Sequence, residues 1–343
     1  MRAHRRVVAV AAVAGLMALT ACGGGGDDAG SGGGAEKVTI VGYSVAEEAS
    51  VAAEEAFAAT PEGDGVTFEQ SYGASGDQSR AVEGGQDADY VHFSLEPDVT
   101  RLVDAGLVAA DWKDTPTKGI VSSSVVVFIV PKGNPNHVED WDDLIAEGSE
   151  VITPNPGSSG AAKWNILAAY GHTIAEGGSA ADAEEYLTSF FEHVAALPGS
   201  GRDATTAFKD GTGNVLISYE NEAILGRQSG EDFDYVIPPT TLKIENPGAV
   251  LASAGPAASA WYDFVTSPAG QAIYAAKGYR PVLDGVDVGT VEGANDPSAP
   301  FPEPTALLTI DDDFGGWAEA NATYFDADDG IVPRIQEATG KTE

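Results

Sequence analysis

Val151-Ile152-Thr153-Pro154-Asn155-Pro156-Gly157-Ser158-Ser159-Gly160-Ala161-Ala162-Lys163-Trp164-Asn165 passes from a β-branched pair, through a turn of Pro, Asn, Gly and Ser, into a run of helix formers. Strand, small-residue turn and helix in that order make the repeating piece of an α/β sheet. The alternation extends both ways. Upstream, residues 37–43, 66–72 and 90–94 read as strands, and 46–59, 77–83 and 98–105 as helices. Residues 122–130 are the strongest strand in the chain, ended by Pro131-Lys132-Gly133-Asn134-Pro135. Downstream, 160–170 and 180–193 read as helices, 214–218 as a strand, and 233–237 and 249–252 as weaker strands. A helix over 259–277 is interrupted near Pro268, and a Pro-, Asp- and Gly-rich tail from 285 holds a helical 317–325. The pattern predicts a mostly parallel sheet flanked by helices, arranged as two α/β lobes with a ligand crevice at the strand carboxyl ends.

Composition bounds the function. The 343 residues are 43% hydrophobic, enough for a sizeable core, and 18 Lys and Arg stand against 53 Asp and Glu, a formal charge of -35. Nucleic acid and anionic lipid surfaces both need a basic footprint that this chain lacks. A single cysteine rules out an internal disulfide and any zinc site built from several thiolates.

That cysteine sits at the end of an export signal. Arg2, Arg5 and Arg6 supply the positive region and residues 7–19 a short apolar run, too short to span a bilayer as an ordinary helix. Leu19-Thr20-Ala21-Cys22 resembles a bacterial lipobox, after which cleavage leaves Cys22 as the first residue, carrying lipid on its thiol. Residues 23–36, almost all Gly, Asp and Ser, form a flexible tether reaching about 20 Å. The expected location is the outer face of the cell membrane, held by acyl chains.

Three small-residue clusters each follow a strand and open a helix: Gly73-Ala74-Ser75-Gly76, Thr153 to Ala161, and Gly199-Ser200-Gly201-Arg202-Asp203-Ala204-Thr205. Free N–H groups at a helix start, with a serine hydroxyl beside them, form an anion site. The plain alternative is three N-caps. Other motifs offer less. His92, His137, His172 and His193 show no metal-ligand spacing, no Gly-x-Ser-x-Gly elbow exists, and Gly211-Thr212-Gly213 lacks a third glycine. Asp311 to Asp313 and Asp326-Ala327-Asp328-Asp329-Gly330 read as solvated acidic surface, the latter with the wrong spacing for an EF-hand. No metal or cofactor is expected.

From Lys37 to about Phe325 the chain resembles the sulfate-binding proteins of bacterial ABC importers, within the two-lobed periplasmic-binding class with two interlobe crossings. The resemblance rests on Ser71-Tyr72-Gly73-Ala74-Ser75-Gly76-Asp77-Gln78, Lys132-Gly133-Asn134-Pro135, the opening stretch 151–165, Tyr219-Glu220-Asn221-Glu222-Ala223, Tyr279-Arg280-Pro281 and Phe314-Gly315-Gly316-Trp317. It implies a type II fold with lobe 1 formed by 37–122 and 240–343, lobe 2 by 123–239, and crossings near 122–124 and 238–241. It implies ligand contacts through the hydroxyls of Ser75 and Ser159 and the backbone N–H groups of Gly160, Ala161 and Gly201. Two positions depart from the family pattern: Ser44 stands where an aspartate is usual and can still give its N–H, and Tyr219 replaces a tryptophan indole with a phenol. Arg202 remains an alternative ligand, although the resemblance assigns the contact to its neighbour's backbone. The implied function is a monomeric receptor that captures sulfate and delivers it to permease subunits. Thiosulfate, molybdate or phosphate as ligand, and an exported ester hydrolase, are the alternatives.

Overall fold

The structure, a computed structural model, describes residues 36–342. The signal sequence, Cys22 and all of the tether except Glu36 lie outside the described residues. Ten strands hydrogen-bond into one sheet: β1 (Lys37–Tyr43), β2 (Thr67–Gly73), β3 (Tyr90–His92), β4 (Ile120–Pro131), β5 (Val151–Ile152), β6 (Val194–Ala196), β7 (Val215–Tyr219), β8 (Phe233–Val236), β9 (Thr240–Val250) and β10 (Ala306–Leu308). The strand order is β2-β1-β3-β9-β4-β7-β5-β6, with β8 on β4 and β10 on β9. The helices are α1 (Glu47–Phe57), α2 (Ser75–Glu83), α3 (Glu96–Asp104), α4 (Gly160–Ala175), α5 (Ala180–His193), α6 (Gly201–Lys209), α7 (Glu220–Gln228), α8 (Pro256–Val265), α9 (Pro268–Ala276), α10 (Ile310–Phe314), α11 (Trp317–Ala320) and α12 (Ile331–Thr339). Among the described residues no helix is long and apolar enough to cross a membrane.

Two parallel groups, β2-β1-β3 and β7-β5-β6, form the halves of the molecule. The sheet is nevertheless mixed rather than mostly parallel, because the two longest strands, β4 and β9, run antiparallel to each other and to most of their neighbours, β9 pairing parallel only with β10. β4 pairs antiparallel with β9 through its first half and with β7 and β8 through its second. β9 in turn pairs antiparallel with β3 near its end. Both strands therefore pass from one half to the other. The second passage lies within β9, whose late residues Gly248 to Val250 pair with β3 while Lys243 to Pro247 pair with β4.

Alternation explains how β4 is buried. Val126, Phe128 and Val130 face one apolar cluster with Trp141, Trp164 and Phe190, while Val125, Val127 and Ile129 face another with Leu216 and Tyr235. A strand with both faces covered reads as a continuous apolar run, the reason it stood out in the sequence. In the other half, Val38 and Ile40 of β1 pack with Trp261 and Phe57, and Val41 with Val91 and Leu102.

The tail departs from the expected grouping of 240–343 with 37–122. Leu308, Phe314, Trp317, Tyr324, Val332 and Ile335 share the apolar cluster of Trp164, Leu187 and Phe191, so residues 306–335 pack on α4 and α5. The Trp317 ring meets Trp164 edge-on at 4.8 Å, and burying side chains of this size contributes about 1.5–3 kcal/mol each.

Candidate functional site

The parallel strands of both halves bring their carboxyl ends to one place. β1 ends at Tyr43 and turns at Ser44; β2 ends at Gly73, and Ala74 precedes α2; β5 leads through Ser159 into α4; β6 leads through Ser200 into α6. The result is a narrow cavity lined by Tyr43, Ser44, Val45, Gly73, Ala74, Ser75, Ser94, Ser159, Gly160, Ala161, Ser200 and Gly201. All three small-residue turns converge there, so they are more than three separate caps. No charged side chain lines it. The first-turn N–H groups of α2, α4 and α6 have no partner within their own helices and carry partial positive charge.

The predicted residues take different places. Ser44, Gly160, Ala161 and Gly201 line the cavity through small residues that keep the backbone close. Ser159 precedes α4 in an extended conformation, is 3% exposed, and makes no cap hydrogen bond, which leaves its hydroxyl to the cavity. Ser200 behaves oppositely, its hydroxyl accepting the Asp203 N–H at 3.1 Å as a true cap. The Ser75 hydroxyl is already engaged: it donates to Asp98 Oδ2 at 2.6 Å and accepts the Ser94 N–H at 2.9 Å. Burial pushes the Asp98 carboxyl above its ordinary value, and the Ser75 bond opposes that shift.

Tyr219 stands one layer back from the cavity. Its hydroxyl lies 2.7 Å from Ser94 Oγ, and Ser94 supplies the lining. Burial raises the phenol well above the ordinary tyrosine range, so it remains a protonated donor. Ser94 and Ser200 were missed from sequence. Ser200 was within a quoted cluster, but Ser94 follows β3 in a plain Phe93-Ser94-Leu95 context with no glycine to mark a turn. Arg202 turns away and pairs with the buried Glu222 at 3.0 Å, so Gly201 lines the cavity and its neighbour does not.

Both halves contribute, and bonds cross between them. The Gly76 N–H donates to Ser158 C=O at 3.2 Å, and Trp164 Nε1 donates to Ser94 C=O at 3.0 Å. Gly160 makes this approach possible, since a Cβ there would sit 2.5 Å from Ser94 Oγ and 2.8 Å from Leu95 Cγ. Behind the cavity, at the crossing strands, Tyr43 donates to Asn246 Oδ1 at 2.9 Å, and His92 Nε2 lies 3.1 Å from Ser122 Oγ. Burial lowers His92 to about 3, which keeps the ring neutral.

The sequence model of the bacterial extracellular solute-binding protein family matches residues 38–280. The chain belongs to that family. Its relatives include a sulfate-binding protein of Synechococcus elongatus, 37% identical over 88% of this chain and 87% of the relative. A thiosulfate-binding protein of Escherichia coli is 36% identical over 77% and 79%. Among solved structures, the sulfate-binding protein SubI of Mycobacterium tuberculosis superposes with a TM-score of 0.79 at 45% identity, covering 85% of this chain and 100% of that one. The solute-binding protein therefore has the two-lobed periplasmic-binding architecture, with its ligand cleft where the halves meet. The cavity of the three turns is lined by residues of both halves.

Proposed function

We propose that this solute-binding protein captures sulfate outside the cytoplasmic membrane and delivers it to the permease of an ABC importer. The observation that carries the reading is a buried cavity, shared by both halves, lined by helix-start N–H groups and hydroxyls with no charged side chain. Sulfate at neutral pH carries no proton and only accepts hydrogen bonds. Hydrogen phosphate brings a proton that needs an acceptor, and leaving it unpaired costs ~1–3 kcal/mol. Relatives named for sulfate and SubI support the same ligand.

Ser44 and Ser75 act from one lobe, and Ser159, Gly160, Ala161 and Gly201 from the other, with Tyr219 acting through Ser94. Lobes joined by β4 and β9 close by rotation about those strands, and the anion favours the closed form through contacts it makes only there. Cys22 tethers the receptor to the membrane, and the receptor works as a monomer. It acts as a binder rather than an enzyme, in keeping with the solute-binding family to which it belongs.

Thiosulfate is the second reading. A phenol set behind Ser94 replaces a donor that the family pattern places on the ligand itself, and two relatives are named for thiosulfate. Calorimetric titration of a soluble form beginning at residue 35 separates them. Sulfate heat with phosphate silent is the expected outcome; binding of thiosulfate alone moves the ligand, and silence from sulfate, thiosulfate and molybdate overturns the reading.

A further inference from the structure

A second, larger cavity lies against the first and has the opposite chemistry. It holds about 810 Å³ of space open to solvent, and Arg80, Arg101 and Lys163 all reach it. Arg80 and Arg101 stand on α2 and α3 of one half and Lys163 on α4 of the other. The two cavities share Ser159 and Gly160 in their linings, and Gly76 of the outer cavity follows Ser75 of the inner one. Beside them the Gly76 N–H donates to Ser158 C=O and Arg80 Nη2 to Gly157 C=O at 3.5 Å, both from one half to the other.

The cations are incompletely neutralised. Lys163 forms no ion pair among the described residues; its ammonium donates to Asn321 Oδ1 at 2.9 Å and lies 4.7 Å over the Phe325 ring. Burial holds it below the ordinary lysine value. Arg101 reaches Glu83 only at 3.5 Å, and its Nε is buried without a partner. Arg80 pairs with the exposed Asp77 at 2.5 Å. The lining carboxylates are Asp98, which accepts the Ser75 hydroxyl, and Asp326, which accepts the N–H groups of Asp328 and Asp329. Two carboxylates line the cavity beside the three cations, and Asp77 and Glu83 pair with Arg80 and Arg101, so Lys163 is the cation left without an ion pair among the described residues.

Building on the sulfate reading, we propose that Arg80, Arg101 and Lys163 form an anion-holding vestibule that draws the oxyanion to the cleft before it crosses to the uncharged inner cavity. An acidic protein repels a dianion at long range, but that field is screened beyond about 8 Å at physiological ionic strength. A local cationic cluster then sets the last step of approach, and such clusters change association rates by about 10–1,000-fold. Charge in the vestibule acts on capture, while the inner donors act on release.

The test is stopped-flow binding of sulfate read by tryptophan fluorescence, since Trp164 lies in α4, which begins at Gly160. Arg80→Gln/Arg101→Gln and the triple variant with Lys163→Gln are compared with Lys37→Gln/Lys132→Gln, which removes two exposed cations elsewhere. The expected result is an on-rate about tenfold lower for the vestibule double variant, with a flatter salt dependence, an unchanged off-rate and a normal melting temperature. The surface pair keeps the wild-type on-rate. Equal slowing by the surface pair, or an unchanged on-rate in the vestibule variants, or a loss confined to the off-rate, overturns the proposal. Failure of the wild-type protein to bind sulfate at all is instead a failure of the functional reading.

Discussion

Two cavities that share Ser159 and Gly160 in their linings are built on different principles. The inner one has helix-start dipoles, hydroxyls and no charge; the outer one has three cations and carboxylates. A full charge in a buried site attracts any anion strongly and tells them apart poorly. Fixed N–H and O–H donors in a tight space discriminate by proton count and size. The pair of cavities thus divides attraction from selection, each placed where its physics works best: charge near solvent, and dipoles where water is excluded.

The sharpest way to break the comparison is to keep the inner cavity from closing. Gly160→Ala drives a Cβ into the Ser94 side chain across the cleft. Overpacking of this kind costs about 1–3 kcal/mol, so sulfate affinity falls by up to about 100-fold while thermal melting barely changes. A large loss of melting temperature instead would mean that the contact belongs to the fold and not to closure.

The two serines next in order separate a ligand hydroxyl from a capping one. Ser159→Ala removes an uncommitted hydroxyl and lowers affinity about tenfold, near 1.4 kcal/mol, with stability unchanged. Ser200→Ala removes the cap of α6, lowers stability by about 1 kcal/mol, and leaves affinity within a few-fold. Calorimetry beside thermal melting reads both; equal losses of affinity would erase the distinction.

The smallest effect tests the rule away from the cleft, where a charge is buried without enough donors. Glu54 sits 9% exposed, one carboxylate oxygen unpartnered and the other bonded by Gln70. Burial raises it to about 7. An acid with a raised folded pKa contributes stability when protonated, so that contribution is full below the ordinary value near 4.5 and is lost as pH rises through 7. Glu54→Gln accordingly raises the melting temperature by a few degrees at pH 8 and leaves it unchanged at pH 4.

Much of the architecture was readable because its signals are local. β1 and α5 fall where the β-branched run and the helical pattern put them, and Pro268 splits α8 from α9 as expected. The first part of β9 was not, since Lys243, Glu245, Asn246, Pro247 and Gly248 interrupt any apolar alternation. Its strand character comes from pairing with β4, which the sequence of β9 alone does not encode. α12 and the docking of the tail were hidden for a related reason: Ile331, Val332 and Ile335 are few, and their partners on α5 lie far away in the chain. At the site, glycine and serine clusters announced the three turns, whereas Ser94 and the Ser75–Asp98 bond depend on which strands become neighbours.

The long antiparallel pair β4 and β9 has a consequence for how the chain matures. Residues 120–125 must find partners at 243–247, after the whole intervening half has been made. Neither half can complete its sheet early, because β3 also waits for β9 at residues 248–250. Contacts this distant in sequence slow folding. Completion of the sheet is thereby deferred at least until residue 250 of the 343 has been made.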